Sequence, residues 1–494
     1  MSQTQGSRGS GGTDRPPGAG ATSTAGRVVV VGGGIAGLAA AYDLARAGAE
    51  VTLLEASERL GGKLHADEIA GVPVDLGAES LLARRPEALA LAREVGLGDD
   101  LEPPAVLSAA LWTRGRLRPM PKGHVMGVPG DLGPLAASGV LSAAGLARLP
   151  LDHVLPRTEV GEDVAVGGYV AARLGHEVVD RLVEPLLGGV YAGNAYEISM
   201  RAAVPQLYAA VRGGRSLIEA ARDLQQKAAA RENGAPVFNG IRGGVGRLPL
   251  AVAEACRAAG VVIETGARVR DLRRTGTRGW QVGLGGRVLT ADAVVLAAPA
   301  PAAAALLAAE SPAAAAELSA VDYASMALVT MAFRRRDLLQ LPRGSGFLVP
   351  PVDGRTIKAS TFSSHKWGWL AEAGGDTFVL RTSVGRHGDT ADLAWDDTDL
   401  VRLSREDLEA AVGLRAVPVA ARVTRWEDGL PQYAVGHVGR VARIREEAGK
   451  LPGLAVCGAV YDGVGVPACV GSGRRAAAEV LATLVPGTAG GARE

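Results

Sequence analysis

Four consecutive valines, Val28 to Val31, run straight into Gly32-Gly33-Gly34-Ile35-Ala36-Gly37 and then into an alanine-rich stretch from Leu38. A short apolar run closed by glycines and followed by a helical pattern reads as a buried strand, a tight turn and a helix N-terminus. That order commits the chain to an α/β fold and shapes a cradle for a pyrophosphate. Gly32 permits the turn, Gly34 lets the backbone approach phosphate, and Gly37 allows close helix–strand packing, while the helix N–H groups and dipole attract the anion. The next strand, Val51-Thr52-Leu53-Leu54, ends in Glu55, about 20 residues on, where a carboxylate accepts from ribose hydroxyls and repels a 2′-phosphate. NADP is therefore disfavoured.

Composition narrows the partners. With 494 residues and 47% hydrophobic content the chain fills several domains, and its formal net charge of +1 is spread over interspersed acids and bases, which leaves no footprint for nucleic acid or anionic lipid. Cys256, Cys457 and Cys469 are scattered and odd in number, as reduced thiols of a cytoplasmic protein would be. The histidines never approach ligand spacing, so no metal is expected. The most apolar run, Ala293 to Ala309, is interrupted by Pro299 and Pro301 and is too short to span a bilayer; a soluble, cytoplasmic protein without a transmembrane segment is expected.

Along the chain, residues 1–25 read as a disordered leader rich in Gly, Ser and Thr. Segments 26–85, 235–300 and 430–485 carry strand–helix patterns of one discontinuous Rossmann-like domain. Residues 86–221 read as a helical insertion, with helices over Pro86–Val95, Gly161–Leu174 and His176–Leu187. Short β-rich runs in 301–429, joined by 222–234, suggest an antiparallel substrate-domain sheet, and 486–494 a flexible tail.

After Glu55 comes Ala56-Ser57-Glu58-Arg59-Leu60-Gly61-Gly62-Lys63, and a second glycine pair after the acidic strand resembles the FAD-binding oxidase superfamily. Three further blocks resemble the protoporphyrinogen and coproporphyrinogen oxidases: Glu184 to Asn194 (EPLLGGVYAGN), Leu430 to His437 (LPQYAVGH) and Leu454 to Pro467 (LAVCGAVYDGVGVP). The resemblance covers nearly everything after residue 26. It implies FAD as cofactor, held by Gly32, Gly33, Gly34, Ile35, Ala36, Gly37, Glu55, Ala56, Lys63, Gly77, Ala78, Glu79, Ser80, Val269, Ala459, Val464, Gly465 and Val466, with Val269 meeting adenine through its backbone. Gly463 to Val466 bring backbone N–H groups to a helix start, which suits a flavin edge that becomes anionic on reduction.

The resemblance also implies a tetrapyrrole substrate, oxidised by hydride transfer to flavin with oxygen reduced to peroxide. A downstream ferrochelatase is the candidate protein partner. Since flavin carries the chemistry, no catalytic base is named; His65, His365 and His387 read as structural or exposed. Arg84 and Arg85, after the Gly77–Ser80 turn, are candidates to bind propionate as guanidinium groups do. Gly189, Val190 and Ala192 match a family turn whose small residues leave room for a flat ring, and Leu348 and Ser383 match pocket positions. Coproporphyrinogen III, with four propionates, is the expected substrate and coproporphyrin III the product in haem biosynthesis. Protoporphyrinogen IX is the alternative. An amine oxidase or carotenoid desaturase, or a flavin-free escort protein, fits the later blocks less well.

Overall fold

The computed structural model describes residues 25–214, 216–231, 236–276, 279–338 and 344–484. Apart from Ala25, the leader lies outside the described residues, as does the tail.

The valine run forms the centre of a five-stranded parallel sheet, in the order Val262–Glu264, Ala49–Leu54, Ala25–Val31, Ala293–Leu296, Leu454–Val456. An unbroken apolar run is what such a strand requires, because both faces are covered. Val28 and Val30 pack with Leu38 of the first helix (Ile35–Arg46) and Ala476 of the final helix (Val466–Leu484), and Val29 and Val31 pack on the opposite face with Leu296, Leu307 and Leu318. Full burial of each such side chain contributes about 1.5–3 kcal/mol. The two helices cross where Gly473 lies against the Ala36 carbonyl, with no room for a Cβ.

A second sheet has seven strands, in the order Ala420–Pro431, Tyr323–Arg334, Thr377–Val384, Ile357–Thr361, Gly346–Leu348, Ala109–Thr113, Arg116–Pro119. All its pairings are antiparallel except that of Gly346–Leu348 with Ala109–Thr113. Val329, Met331, Phe333, Phe378 and Leu380 bury one face with Leu400 and Leu408 of the helix Asp397–Val412. The other face looks toward the substrate residues described below.

Where helix is expected throughout 86–221, the stretch 101–129 makes short strands. The hairpin Ala109–Pro119 turns through Arg114 and Gly115, both at positive φ (53° and 71°), the backbone that two-residue hairpin turns favour; an arginine in that position hides the signal. Helices dominate from Leu132 onward. They close on a buried ion pair, Arg173 Nε to Asp152 Oδ1 at 2.6 Å, with Asp152 Oδ2 accepting from Ser216 and the Ile218 N–H. The run His176–Tyr191 is continuous but contains a π turn at Val179–Val183.

Gly473→Val is expected to lose about 1–3 kcal/mol of stability through overpacking at the helix crossing. Gly449→Ala, at a helix end with open space around it, is expected to change little; comparing urea midpoints of the two variants checks this.

Candidate functional site

The first helix begins without a side-chain cap at Gly34, and its earliest backbone bond runs from the Leu38 N–H to the Gly34 carbonyl. The N–H groups of its first turn are thus available to an anion. A Cβ on Gly34 would meet no protein atom within 4 Å, whereas one on Gly32 (φ 113°) would lie 2.7 Å from the Ala297 carbonyl oxygen. Gly32 is therefore needed by the fold and Gly34 faces open space. Glu55 lies beside this turn: Oε2 accepts from the Gly33 N–H at 2.6 Å and Oε1 from the Ser57 N–H and hydroxyl, each at 2.8 Å. Residues 264–269 run past Glu55, with Ala267 N–H to Glu55 carbonyl at 2.8 Å, which brings Val269 to the same end as Glu55 and Ala56.

The second glycine pair is stitched to the first by the Gly61 N–H to the Gly33 carbonyl, 2.9 Å. Next to it, Lys63 has its side chain in solvent although protein surrounds it on most sides, as on the floor of a cleft; burial pushes its ammonium below the ordinary lysine range. The Lys63 carbonyl accepts from the Ala78 N–H at 3.2 Å and packs against Gly77. Beyond it Glu79 is buried, with Lys366 Nζ at 2.7 Å and Arg381 Nε at 3.3 Å, and Lys366 Nζ reaches Ser80 Oγ at 2.9 Å. Burial alone would raise the Glu79 pKa, but Arg381 and Lys366 outweigh it and hold the carboxyl below its ordinary value. The Glu79 carboxylate is thus engaged by the substrate sheet. Lys366 and Arg381 escape sequence reading because nothing local marks them as partners of a glutamate almost three hundred residues away.

The C-terminal block completes the cleft. Gly458 (φ 126°) and Gly463 (φ 132°) flank a short helical turn, Ala459–Asp462, and Val464, Gly465 and Val466 lead into the final helix. Asp462 fixes this loop: Oδ1 accepts from Arg445 at 2.7 Å, and Oδ2 from Arg475 at 2.9 Å and from the Ser472 hydroxyl. Tyr433 donates to the Ala459 carbonyl and stacks on His437 at 4.3 Å, and His437 Nε2 contacts the Val460 carbonyl at 2.8 Å. Burial lowers the pKa of that imidazole.

Tyr433 also approaches Tyr191, ring centroids 5.6 Å apart, so the turn Gly189–Ala192 sits against the same cleft. Ala192 is held at positive φ (49°), a costly conformation for a residue with a side chain, and its carbonyl accepts from the His387 N–H at 2.7 Å. Val190 is 47% exposed, and a Cβ on Gly189 would lie 3.6 Å from Leu348. Leu348 pairs with Ala359, Ala359 with Ser383, and Ser383 with Leu328; directly paired residues share a sheet face, so these form one row. Arg381, two residues from Ser383 on that face, donates to the Gly77 carbonyl at 2.7 Å. Gly189, Leu348 and Ser383 are thereby brought to one face that ends at the glycine-rich cleft. Arg85, next to Pro86 of the helix Pro86–Glu94, pairs with Glu87 at 2.6 Å, and Arg84 is exposed beside it.

An uncapped helix N-terminus, open space over Gly34 and a carboxylate at the strand end suit the adenosine diphosphate part of FAD. The second helix start at Val466 suits the flavin. This fold and cradle define an FAD-dependent oxidoreductase. The family described as flavin containing amine oxidoreductase matches residues 35–481, and the chain belongs to it, in the group that holds the following relatives. Coproporphyrinogen III oxidase of Mycobacterium tuberculosis is 41% identical over 465 residues, covering 92% of this chain and 97% of that one. That of Bacillus subtilis is 33% identical over 470 residues, covering 92% and 98%. A crystal structure from Exiguobacterium sp. 255-15, described as a candidate protoporphyrinogen oxidase, matches with TM-score 0.82 at 33% identity, covering 92% and 98%.

Gly34→Leu is expected to keep the fold and lose FAD, read as an unchanged far-UV spectrum without bound-flavin absorbance. Glu79→Gln leaves two cations short of a counter-charge and is expected to cost about 3 kcal/mol. Because the Glu79 pKa is depressed in the fold, its contribution is fully present above about pH 4.5 and is lost as pH falls below that through the folded value; urea midpoints should differ between wild type and Glu79→Gln by a constant amount above about pH 5, and the difference should shrink as the pH is taken below about 4.5.

Proposed function

We propose that the chain oxidises coproporphyrinogen III to coproporphyrin III, a step of haem biosynthesis. The observation that carries this reading is the 41% identity to a coproporphyrinogen III oxidase across 97% of that protein. Bound FAD supplies the acceptor for successive two-electron oxidations, and aromatisation of the macrocycle drives them. The chain's own task is to bind, orient and exclude water. The small residues Gly189 and Ala192 leave a flat slot, Val190 and Leu348 offer apolar contact to ring faces, and Ser383 continues the floor.

At the cofactor end, the Gly32–Gly37 turn, Glu55, Ala56, Lys63, Gly77–Ser80, Val269, Ala459 and Val464–Val466 are the proposed FAD contacts. The open space over Gly34 and the protein surrounding the Lys63 ammonium support them. Arg84 and Arg85 are the proposed propionate ligands, supported by their position between the Gly77–Ser80 segment and the helix Pro86–Glu94. The reading includes molecular oxygen as acceptor, a downstream ferrochelatase as recipient of product and a cytoplasmic location; among the described residues no helix is long and apolar enough to cross a membrane.

Purified, FAD-loaded protein is expected to form coproporphyrin III faster than protoporphyrin IX from the respective porphyrinogens, with peroxide, as followed by porphyrin fluorescence. Faster protoporphyrin formation would move the enzyme to the alternative substrate. The double variant Arg84→Ala/Arg85→Ala is expected to raise KM for coproporphyrinogen about tenfold while changing kcat little, the pattern of lost uniform binding.

A further inference from the structure

Three buried polar atoms at the seam between the substrate sheet and the cofactor side have no protein partner among the described residues: the hydroxyl of Thr330 and the indole nitrogens of Trp367 and Trp369. The three residues are 1%, 2% and 4% exposed. Leaving such groups unpaired away from water is costly, and native structures rarely do so. All three residues line one cavity, together with Asp75, Glu79 and Arg381. Separate stretches of chain bring them there. Thr330 pairs with Arg381 across the substrate sheet, the tryptophans lie where the helical turn Ser363–Lys366 passes into Gly368–Gly374, and Asp75 ends the strand Val72–Asp75. Gly240 packs against the Cε3–Cζ3 edge of Trp367, which leaves the Nε1 edge turned away from the strand Phe238–Ile241.

Size, charge and bonding capacity define the occupant. The cavity measures about 10 Å³, room for one water and nothing larger. The charges around it balance. Glu79 meets Lys366 and Arg381, and burial raises the Asp75 carboxyl to about 6, so at neutral pH both carboxylates are ionised against two cations and no further ion is called for. An indole only donates and an ionised carboxylate only accepts. Each Asp75 oxygen takes one backbone N–H, from Val245 and from Gly246, both at 2.8 Å, which leaves a lone pair on each. A small neutral molecule that accepts from indoles and donates to oxygen matches this set.

We propose that the cavity is a hydration site, holding one resident water that accepts from the Trp367 and Trp369 indoles and donates to the Thr330 hydroxyl and to a carboxylate oxygen of Asp75 or Glu79. Such bonding uses the full capacity of a buried water. The water links the substrate sheet to the cofactor side through bonds that neither makes to the other directly. The inference goes beyond the porphyrinogen-oxidising reading and holds whichever macrocycle is oxidised.

The test is a crystal structure of the FAD-bound protein at a resolution that shows ordered water, beside urea unfolding of wild type and Thr330→Val. One peak of the weight of a water is expected in the cavity, within hydrogen-bond distance of both indole nitrogens and of a carboxylate oxygen. Valine keeps the branched shape that suits a strand and removes the hydroxyl. With a resident water the variant loses one bond, and its folded-to-unfolded ratio is expected to fall about fivefold. With a dry cavity the same change deletes an unpaired buried polar group, and the variant becomes as stable as wild type or more so. A cavity without density, a peak with the short contacts of a metal ion, or a Thr330→Val variant that loses no stability overturns the hydration site. None of these outcomes bears on the activity, which turnover of the porphyrinogens tests separately.

Discussion

Glu79 joins the two halves of the molecule. It follows the Gly77 turn of the cofactor domain, while its partners Lys366 and Arg381 come from the substrate sheet and the helical turn before it. A carboxylate this buried is tolerable only because two cations meet it, and those cations need it as much. Arg381 adds a bond to the Gly77 carbonyl and Trp426 one to the Leu76 carbonyl, so Leu76, Gly77 and Glu79 of the cofactor side are all held from the other side. The seam between cradle and substrate row joins this charge matching to an apolar cluster, in which Val72, Val74 and Leu76 pack with Trp367, Leu370 and Val379.

A second tie runs through Tyr433. Its hydroxyl reaches the Ala459 carbonyl, its ring stacks on His437, and its edge approaches Tyr191, while neighbouring Gln432 donates to the Tyr191 carbonyl at 2.9 Å. The strained turn at Ala192 is thus held by the same segment that holds the loop before the final helix. Turn and loop cannot shift independently, which suits a site where a flat substrate must meet a flat cofactor in register.

Much of this was legible in the chain itself. The valine run, the glycine spacing and Glu55 declare their roles through local chemistry, and the structure puts them side by side because a strand–turn–helix is a local object. The antiparallel meander over Asp271–Ala291 and the strands around Leu328 and Val379 could likewise be read from alternation. What escaped was non-local. Lys366 and Arg381 look like ordinary surface cations until Glu79 is brought to them, and Asp462 looks like a turn residue until Arg445 and Arg475 close on it. The hairpin at Arg114 and Gly115 escaped for a different reason, since its turn lacks the Asn-Gly or Asp-Gly pair that usually announces one.

The contact between Gly473 and Ala36 has a consequence for how the protein is made. The cradle leaves the ribosome well before the helix that packs on it, and the strand Leu454–Val456 that borders the sheet arrives just ahead of that helix. At ordinary elongation rates the interval is on the order of a minute or less. From the emergence of the strand Ala293–Leu296 until Leu454–Val456 follows, the edge that the latter will occupy stays unpaired, an invitation to aggregation. The cradle's own packing is thus completed only once the helix Val466–Leu484 has been made.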